Sequence, residues 1–205
     1  MCDYEDDRLR RIKYYKLEGL TDSEVVDHII FFNKYLKDCW ENAGGWTPTE
    51  VEELFKKSRL DRQVSLSYCL KIWLNEPTKE EEEGRLILAW ANLGSLIEGT
   101  MKFFLTIYYE DYKNDPVTNT KKGEKFSVEL DKLNLEQLKN FYRNKEIDLT
   151  HTKKWFKWIE DIGYRRNAIH AYKDRDIGTF TDFFVQIRKY YQFLVDIDQS
   201  IPYPG

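Results

Sequence analysis

Residues 81–109 constrain the fold of this chain more than any other stretch. Leu86, Trp90, Leu93, Ile97, Met101, Phe104 and Tyr108 recur there at helical spacing, and Ile87, Leu96 and Leu105 widen the stripe. A helix this long and this apolar cannot lie on a surface, because most of its circumference has to leave water. It predicts a central core helix with other helices gathered round it.

The rest of the chain supplies those helices. Thr21-Asp-Ser-Glu24, Thr47-Pro-Thr-Glu50 and Thr78-Lys-Glu-Glu81 each read as capping boxes, and Asn134-Leu-Glu-Gln137 as a weaker one. Pro48 suits the first position of a helix. Val25, Ile29, Phe32, Leu36 and Trp40 mark a helix over residues 21–42, ended by Gly44-Gly45. Shorter helices are expected over 48–58 and 61–74, before a break at Asn75-Glu-Pro77. Residues 110–126, with Asn114-Asp-Pro116 and Lys121-Lys-Gly123, read as exposed loop. A short helix near 134–144 follows. Two longer ones come next, over 152–171 (Trp155, Ile159, Ile162, Ile169) and 179–199 (Phe180, Phe184, Ile187, Tyr191, Leu194, Ile197), before Ile201-Pro-Tyr-Pro204. No alternation indicates a strand. With 10 Gly and 5 Pro among 205 residues, long helices are favoured over a many-stranded fold. The expected class is all-α, a helical bundle over residues 77–205 with an N-terminal helical extension, residues 1–76, packing on it.

Composition narrows the function classes. The net charge is −4, so no global basic field announces nucleic-acid binding, and an RNA substrate would need a local patch. Cys2, Cys39 and Cys69 are odd in number and lack metal-ligand spacing, which reads as reduced thiols. No apolar run approaches the roughly 20 residues of a membrane span. The first seven residues are acidic where a signal peptide is basic and then apolar. A cytoplasmic protein without membrane contact is expected.

The chemistry-bearing residues cluster near the end of the 152–171 helix. Trp155, Ile159 and Ile162 set its buried direction, Ile169 returns to it one heptad later, and Arg166 falls on the same stripe. An unpaired guanidinium is prohibitive in an apolar core, so this face must open at Arg166, into a cleft or against another subunit. His170, four residues on, neighbours Arg166 on a helix surface, whereas Arg165 is about 140° from His170 on an ideal helix. Asn167 adds a donor and acceptor, and Tyr172 a phenol. Histidine can exchange protons near neutral pH, and arginine can grip a phosphate bidentately. With a ribose 2′-hydroxyl as internal nucleophile, this chemistry requires no metal or other cofactor.

Arg165-Arg166-Asn167-Ala168-Ile169-His170-Ala-Tyr172 resembles the signature of HEPN proteins, an Arg followed four to six residues later by His, commonly with a polar residue after the Arg. Arg165 satisfies the count. The Arg-Asn pair matches Arg166-Asn167, which leaves three residues before His170. Helix geometry therefore selects Arg166 and the count selects Arg165. The apolar helix with Asn92-Leu-Gly-Ser-Leu-Ile-Glu98-Gly looks like an earlier bundle helix of that family, and the resemblance covers residues 78–200. It implies a HEPN-like bundle that forms a homodimer, with two Arg/His sets facing across one cleft. It also implies a metal-independent endoribonuclease leaving 2′,3′-cyclic phosphate ends, in toxin–antitoxin or antiviral defence systems, with an antitoxin or other regulatory protein as partner. Some members are non-catalytic interaction or sensor modules. On that resemblance His170 is base or acid, and Arg165 and Arg166 hold and polarise the phosphate.

Other positions carry competing readings. Glu98 either reaches into the cleft to orient an arginine or pairs on the surface with Lys102, four residues on. His28 and His151 read as incidental, His28 solvated off its helix's stripe. Lys153, Lys154 and Lys157 beside Trp155 and Trp158 are either an RNA-binding basic and aromatic surface or a solvated helix face. Lys121, Lys122 and Lys125 are equally open, and no histidine spacing suggests a metal site.

Overall fold

The computed structural model describes residues 11–41, 47–121, 123–144, 153–170, 172 and 174–203. Cys2, Gly44-Gly45, Lys122, His151, Thr152, Ala171 and Pro204 lie outside those residues. The chain is all-α, apart from one small exposed hairpin.

Helix α1 (Asp22–Trp40) starts at the complete capping box foreseen at Thr21, whose Oγ1 accepts from the Glu24 amide at 3.3 Å while Glu24 accepts from the Thr21 amide at 2.7 Å. All five expected stripe residues of α1 are buried. Helix α2 (Thr49–Ser58) begins one residue later than expected, with extended Pro48 at the cap position instead of Thr47. Arg59, at φ 54°, makes a left-handed joint to α3 (Leu60–Cys69). That helix tightens into a 3-10 turn, Leu70–Leu74, rather than continuing to 74. The long helix α4 (Glu82–Ile107) starts at Glu82, and of the Thr78 box only a 3.4 Å bond from the Thr78 amide to Glu81 forms.

The expected loop at 110–126 is instead a short helix α5 (Tyr109–Asn114) and an antiparallel hairpin, β1 (Thr118–Lys121) and β2 (Glu124–Ser127). Every strand residue is exposed, so neither face imposes the alternation that marks a half-buried strand. Gly123 supplies the positive φ, 87°, of the turn. Asn134 and Gln137 cap α6 (Leu135–Asn144) reciprocally, at 2.9 and 3.1 Å. A 3-10 turn, Lys153–Trp155, leads into α7 (Phe156–Arg166), and α8 (Phe180–Ser200) opens on a complete Thr179/Asp182 box.

Helix α4 is the hub. It packs against α2, α3, α6, α7 and α8, while α1 closes the outside across α3 and α8. Residues 22–74 and 82–201 feed one continuous core, so the N-terminal region is a layer of the same body rather than an appendage. Two polar anchors fix that layer to α4. Gln63 on α3 donates to Leu96 O at 2.8 Å and fits only because position 99 is glycine; a Cβ there would stand 2.2 Å from its Oε1. Asn92 accepts from Trp73 Nε1 at 2.9 Å and donates to Leu66 O at 3.1 Å. Among the described residues no helix is long and apolar enough to cross a membrane.

Two features of this layer differ from, or were absent in, the expectations. The His28 ring is half-buried, not solvated: it lies edge-on to Tyr14 and 3.1 Å from the Tyr191 hydroxyl, and burial lowers its pKa below 6.5. At the chain's two ends, Arg11 meets Asp198 in a buried pair at 2.9 and 3.1 Å, and Tyr15 and Tyr203 also donate to that carboxylate.

Removing one partner of a buried, hydrogen-bonded pair leaves the other charge uncompensated. Asp198→Ala is therefore expected to lower stability by about 3–5 kcal/mol, read from urea denaturation. His28, with its folded pKa depressed, contributes stability that is full above about pH 6.5 and lost as pH falls, because the unfolded state binds the proton first. The stability difference between about pH 8 and about pH 5 is expected to shrink in His28→Gln. An unchanged difference would exclude the assignment.

Candidate functional site

One strip of α4 is not apolar. Ala91, Ser95, Glu98 and Lys102 follow each other at helical spacing and form the floor of an open groove of about 920 Å³. Its walls are α6, α7, the turn before α6 and the segment after α7.

Helix α7 reaches this floor by passing directly over Gly94. A Cβ there would sit 2.5 Å from Arg166 Cδ and 2.9 Å from Cγ. Because that position is bare, the Arg166 side chain lies along α4 and its Nη1 donates to Glu98 Oε2 at 2.8 Å. The other Glu98 oxygen accepts from Lys102 at 3.1 Å, and Lys102 also reaches Asp131 O at 3.2 Å. Both readings of Glu98 thus hold at once: it orients an arginine and it pairs with Lys102. The side chains of Arg166 and Glu98 are 30% and 19% exposed, so the pair sits at the groove's edge with water, not in the core.

The helix expected over 152–171 stops at Arg166. Asn167–Ile169 form a 3-10 turn, and His170 is extended, at φ −84° and ψ 118°. Two consequences follow. Ile169 leaves the buried stripe and is 48% exposed, contrary to the helical wheel. Arg166 and His170 are no longer helix-surface neighbours; they share the groove because the chain turns there, with Asn167 between them on its rim. The His170 ring is exposed and makes no hydrogen bond among the described residues.

Arg165 points elsewhere. Its guanidinium stacks on Trp90 at 4.8 Å and donates weakly to Ile177 O at 3.4 Å, the carbonyl that Trp90 Nε1 also bonds at 2.9 Å. It braces the entry to α8 and does not line the groove. Tyr172 is fully exposed, in the left-handed region at φ 65°, and also lies off the lining. The aromatic surface suggested near Trp155 and Trp158 is not available. Both rings are buried, with Nε1 donating to Asp196 and Gln186 respectively, and Lys154 and Lys157 pair with Asp196 and Asp161. Lys121 and Lys125 stand on the exposed hairpin.

Charged side chains complete the groove, and Lys132, Glu136, Lys139, Glu160 and Arg175 among them were not singled out by the sequence. Lys102, Lys132, Lys139, Arg166 and Arg175 line it against Glu98, Glu136 and Glu160, five cations to three carboxylates, in a chain whose net charge is −4. Lys139 is 7% exposed and held between Glu136 at 2.7 Å and Glu160 at 3.4 Å. Walls of low dielectric concentrate such a local excess of positive charge. One signal was present in the sequence: the small and polar spacing Ala91, Ser95, Glu98, Lys102 on an otherwise apolar helix. Arg175 had none, because its contacts are with a residue eleven positions earlier, across the turn. Comparison with family models, curated proteins and solved structures gives no match for this chain.

The crossing at Gly94 is directly testable. Gly94→Val is expected to displace Arg166 from Glu98 and cost about 1–3 kcal/mol through overpacking. Gly84→Ala, on the same helix with nothing within 4 Å, is expected to raise stability by up to about 1 kcal/mol in the same urea titration.

Proposed function

We propose that this groove is the active site of a metal-independent endoribonuclease of the HEPN type, acting in the cytoplasm as a toxin or antiviral defence effector. The observation that carries the reading is that Arg166 and His170 line one open, basic groove, whereas Arg165 is occupied against Trp90.

In the proposed reaction His170 takes the proton of a ribose 2′-hydroxyl, and the oxygen attacks the adjacent phosphorus. The bond to the 5′-oxygen breaks, that oxygen takes a proton from solvent as it leaves, and a 2′,3′-cyclic phosphate remains. Arg166 stabilises charge on the phosphoryl oxygens, its orientation held by Glu98, and Asn167 is placed to bond the same phosphate or the ribose. The resemblance adds a second copy of the chain across the cleft and an antitoxin-type regulator.

A second reading is a HEPN-like interaction or sensor module that binds without cutting. It is favoured by the unanchored His170 ring, since a base normally has a partner that orients it.

His170→Ala is expected to keep the wild-type melting temperature and to lower RNA cleavage in the presence of a chelator by about 10²–10⁴-fold. Cleavage products should carry 2′,3′-cyclic phosphate ends. Wild-type protein that cuts no RNA would favour the module instead, and strict metal dependence would overturn the mechanism.

A further inference from the structure

The proposed reaction uses Arg166 and His170 but leaves a third basic group of the groove without a role. Arg175 arrives from the segment after the 3-10 turn, and its guanidinium is immobilised from two sides. It lies over the Tyr164 ring at 4.5 Å, and its Nη1 donates to Tyr164 O at 3.0 Å, one of the last-turn carbonyls of α7. Its Nε is covered and makes no bond, and Nη2 has no hydrogen-bond partner among the described residues. The other groove cations are paired: Lys102 and Arg166 with Glu98, Lys132 with Glu129, Lys139 with Glu136 and Glu160. Arg175 forms no ion pair with any described carboxylate, although Asp174 and Asp176 flank it in the chain. A preorganised, half-buried guanidinium on a groove wall, with one nitrogen unpartnered among the described residues, has the chemistry to receive an anion.

We propose that Arg175 is the second anion-holding residue of this groove and takes a phosphate of the RNA strand other than the one at Arg166 and His170. This rests on the ribonuclease reading for the identity of the strand, but not on cleavage itself. The groove would then engage at least two backbone phosphates, so a substrate with a single phosphodiester lacks half of the grip. Arg175 is a binding residue, outside the bond-making steps, and its loss should appear in KM and not in kcat.

Arg175→Gln is the informative variant, because it keeps a polar side chain while the charge is gone; a melting curve checks that loss of the bond to Tyr164 O leaves α7 folded. Two readouts separate the claims. The first is fluorescence anisotropy with a labelled 2′-O-methyl oligoribonucleotide, which cannot be cleaved through a 2′-hydroxyl. Arg175→Gln should bind about tenfold more weakly, with the slope of log K against log salt reduced by about 0.7. The second is cleavage: KM should rise about tenfold on an oligonucleotide and stay unchanged on a dinucleoside monophosphate, with kcat unaffected in both. Unaltered binding by Arg175→Gln overturns the proposal, as does an equal loss on the dinucleotide or wild-type protein that binds no oligonucleotide. If the wild type binds the strand and cuts nothing, the ribonuclease reading fails, and the binding comparison still decides the role of Arg175.

Discussion

A helix that is apolar around most of its circumference can only sit in the middle of a protein, and α4 obliges the other elements to arrange themselves about it. Each large side chain it buries contributes about 1.5–3 kcal/mol, and Trp90, Leu93, Leu96, Ile97, Phe104 and Leu105 are almost completely covered. Its polar positions are then met from specific directions: Asn92 by Trp73 and Leu66, Thr100 by Tyr190 and Gln63, Glu98 by Arg166. The Tyr190 phenol, pushed up to about 12 by burial, remains a neutral partner in that set. Two glycines set how closely neighbours approach. Gly94 and Gly99 are about 140° apart on the helix; one admits the Arg166 side chain and the other Gln63.

The groove exists because that covering stops short along one strip. Ala91, Ser95, Glu98 and Lys102 are small or polar, so nothing is gained by packing a further helix on them, and α6 and α7 stand either side. Arg166 crosses onto this strip at the last helical residue of α7 and finds a carboxylate at its end. Adjacent Arg165 turns to the opposite side, where the face of Trp90 and the Ile177 carbonyl receive it. Consecutive residues on a helix are about 100° apart, so two neighbouring arginines could not both serve one groove; the chain uses one for the groove and the other for the joint to α8.

Much of the architecture was legible in the sequence. The stripe of α1 was read with its buried residues correct, and so was most of α4, because a helix that buries one face repeats at 3.6 residues whatever surrounds it; on α8 the centre of the face is shifted, with Phe183, Tyr190 and Phe193 buried and Phe180 and Phe184 only partly so. Capping boxes were less dependable: those at Thr21 and Asn134 form, but at Thr47 and Thr78 the helix starts elsewhere, since a cap is a local preference worth about 1 kcal/mol that neighbouring packing overrides. The hairpin was invisible because an exposed pair of four-residue strands has no apolar face to reveal it. At the site, the wheel drawn through 169 and 170 failed for a nonlocal reason. After Arg166 the chain tightens into a 3-10 turn, where Arg175, arriving from across the turn, bonds Tyr164 O.

By itself, then, the sequence determined an all-α chain, a central helix read over residues 81–109 and the run Arg165 to His170 as its most chemically loaded segment. These follow from periodicity and residue chemistry, which are local. Tertiary structure alone decided that Arg166, Glu98 and His170 border one groove, that Arg165 does not, and that Lys139 and Arg175 join it. Those facts depend on a helix crossing at Gly94 and a turn after Arg166, between residues too far apart along the chain for any spacing to record.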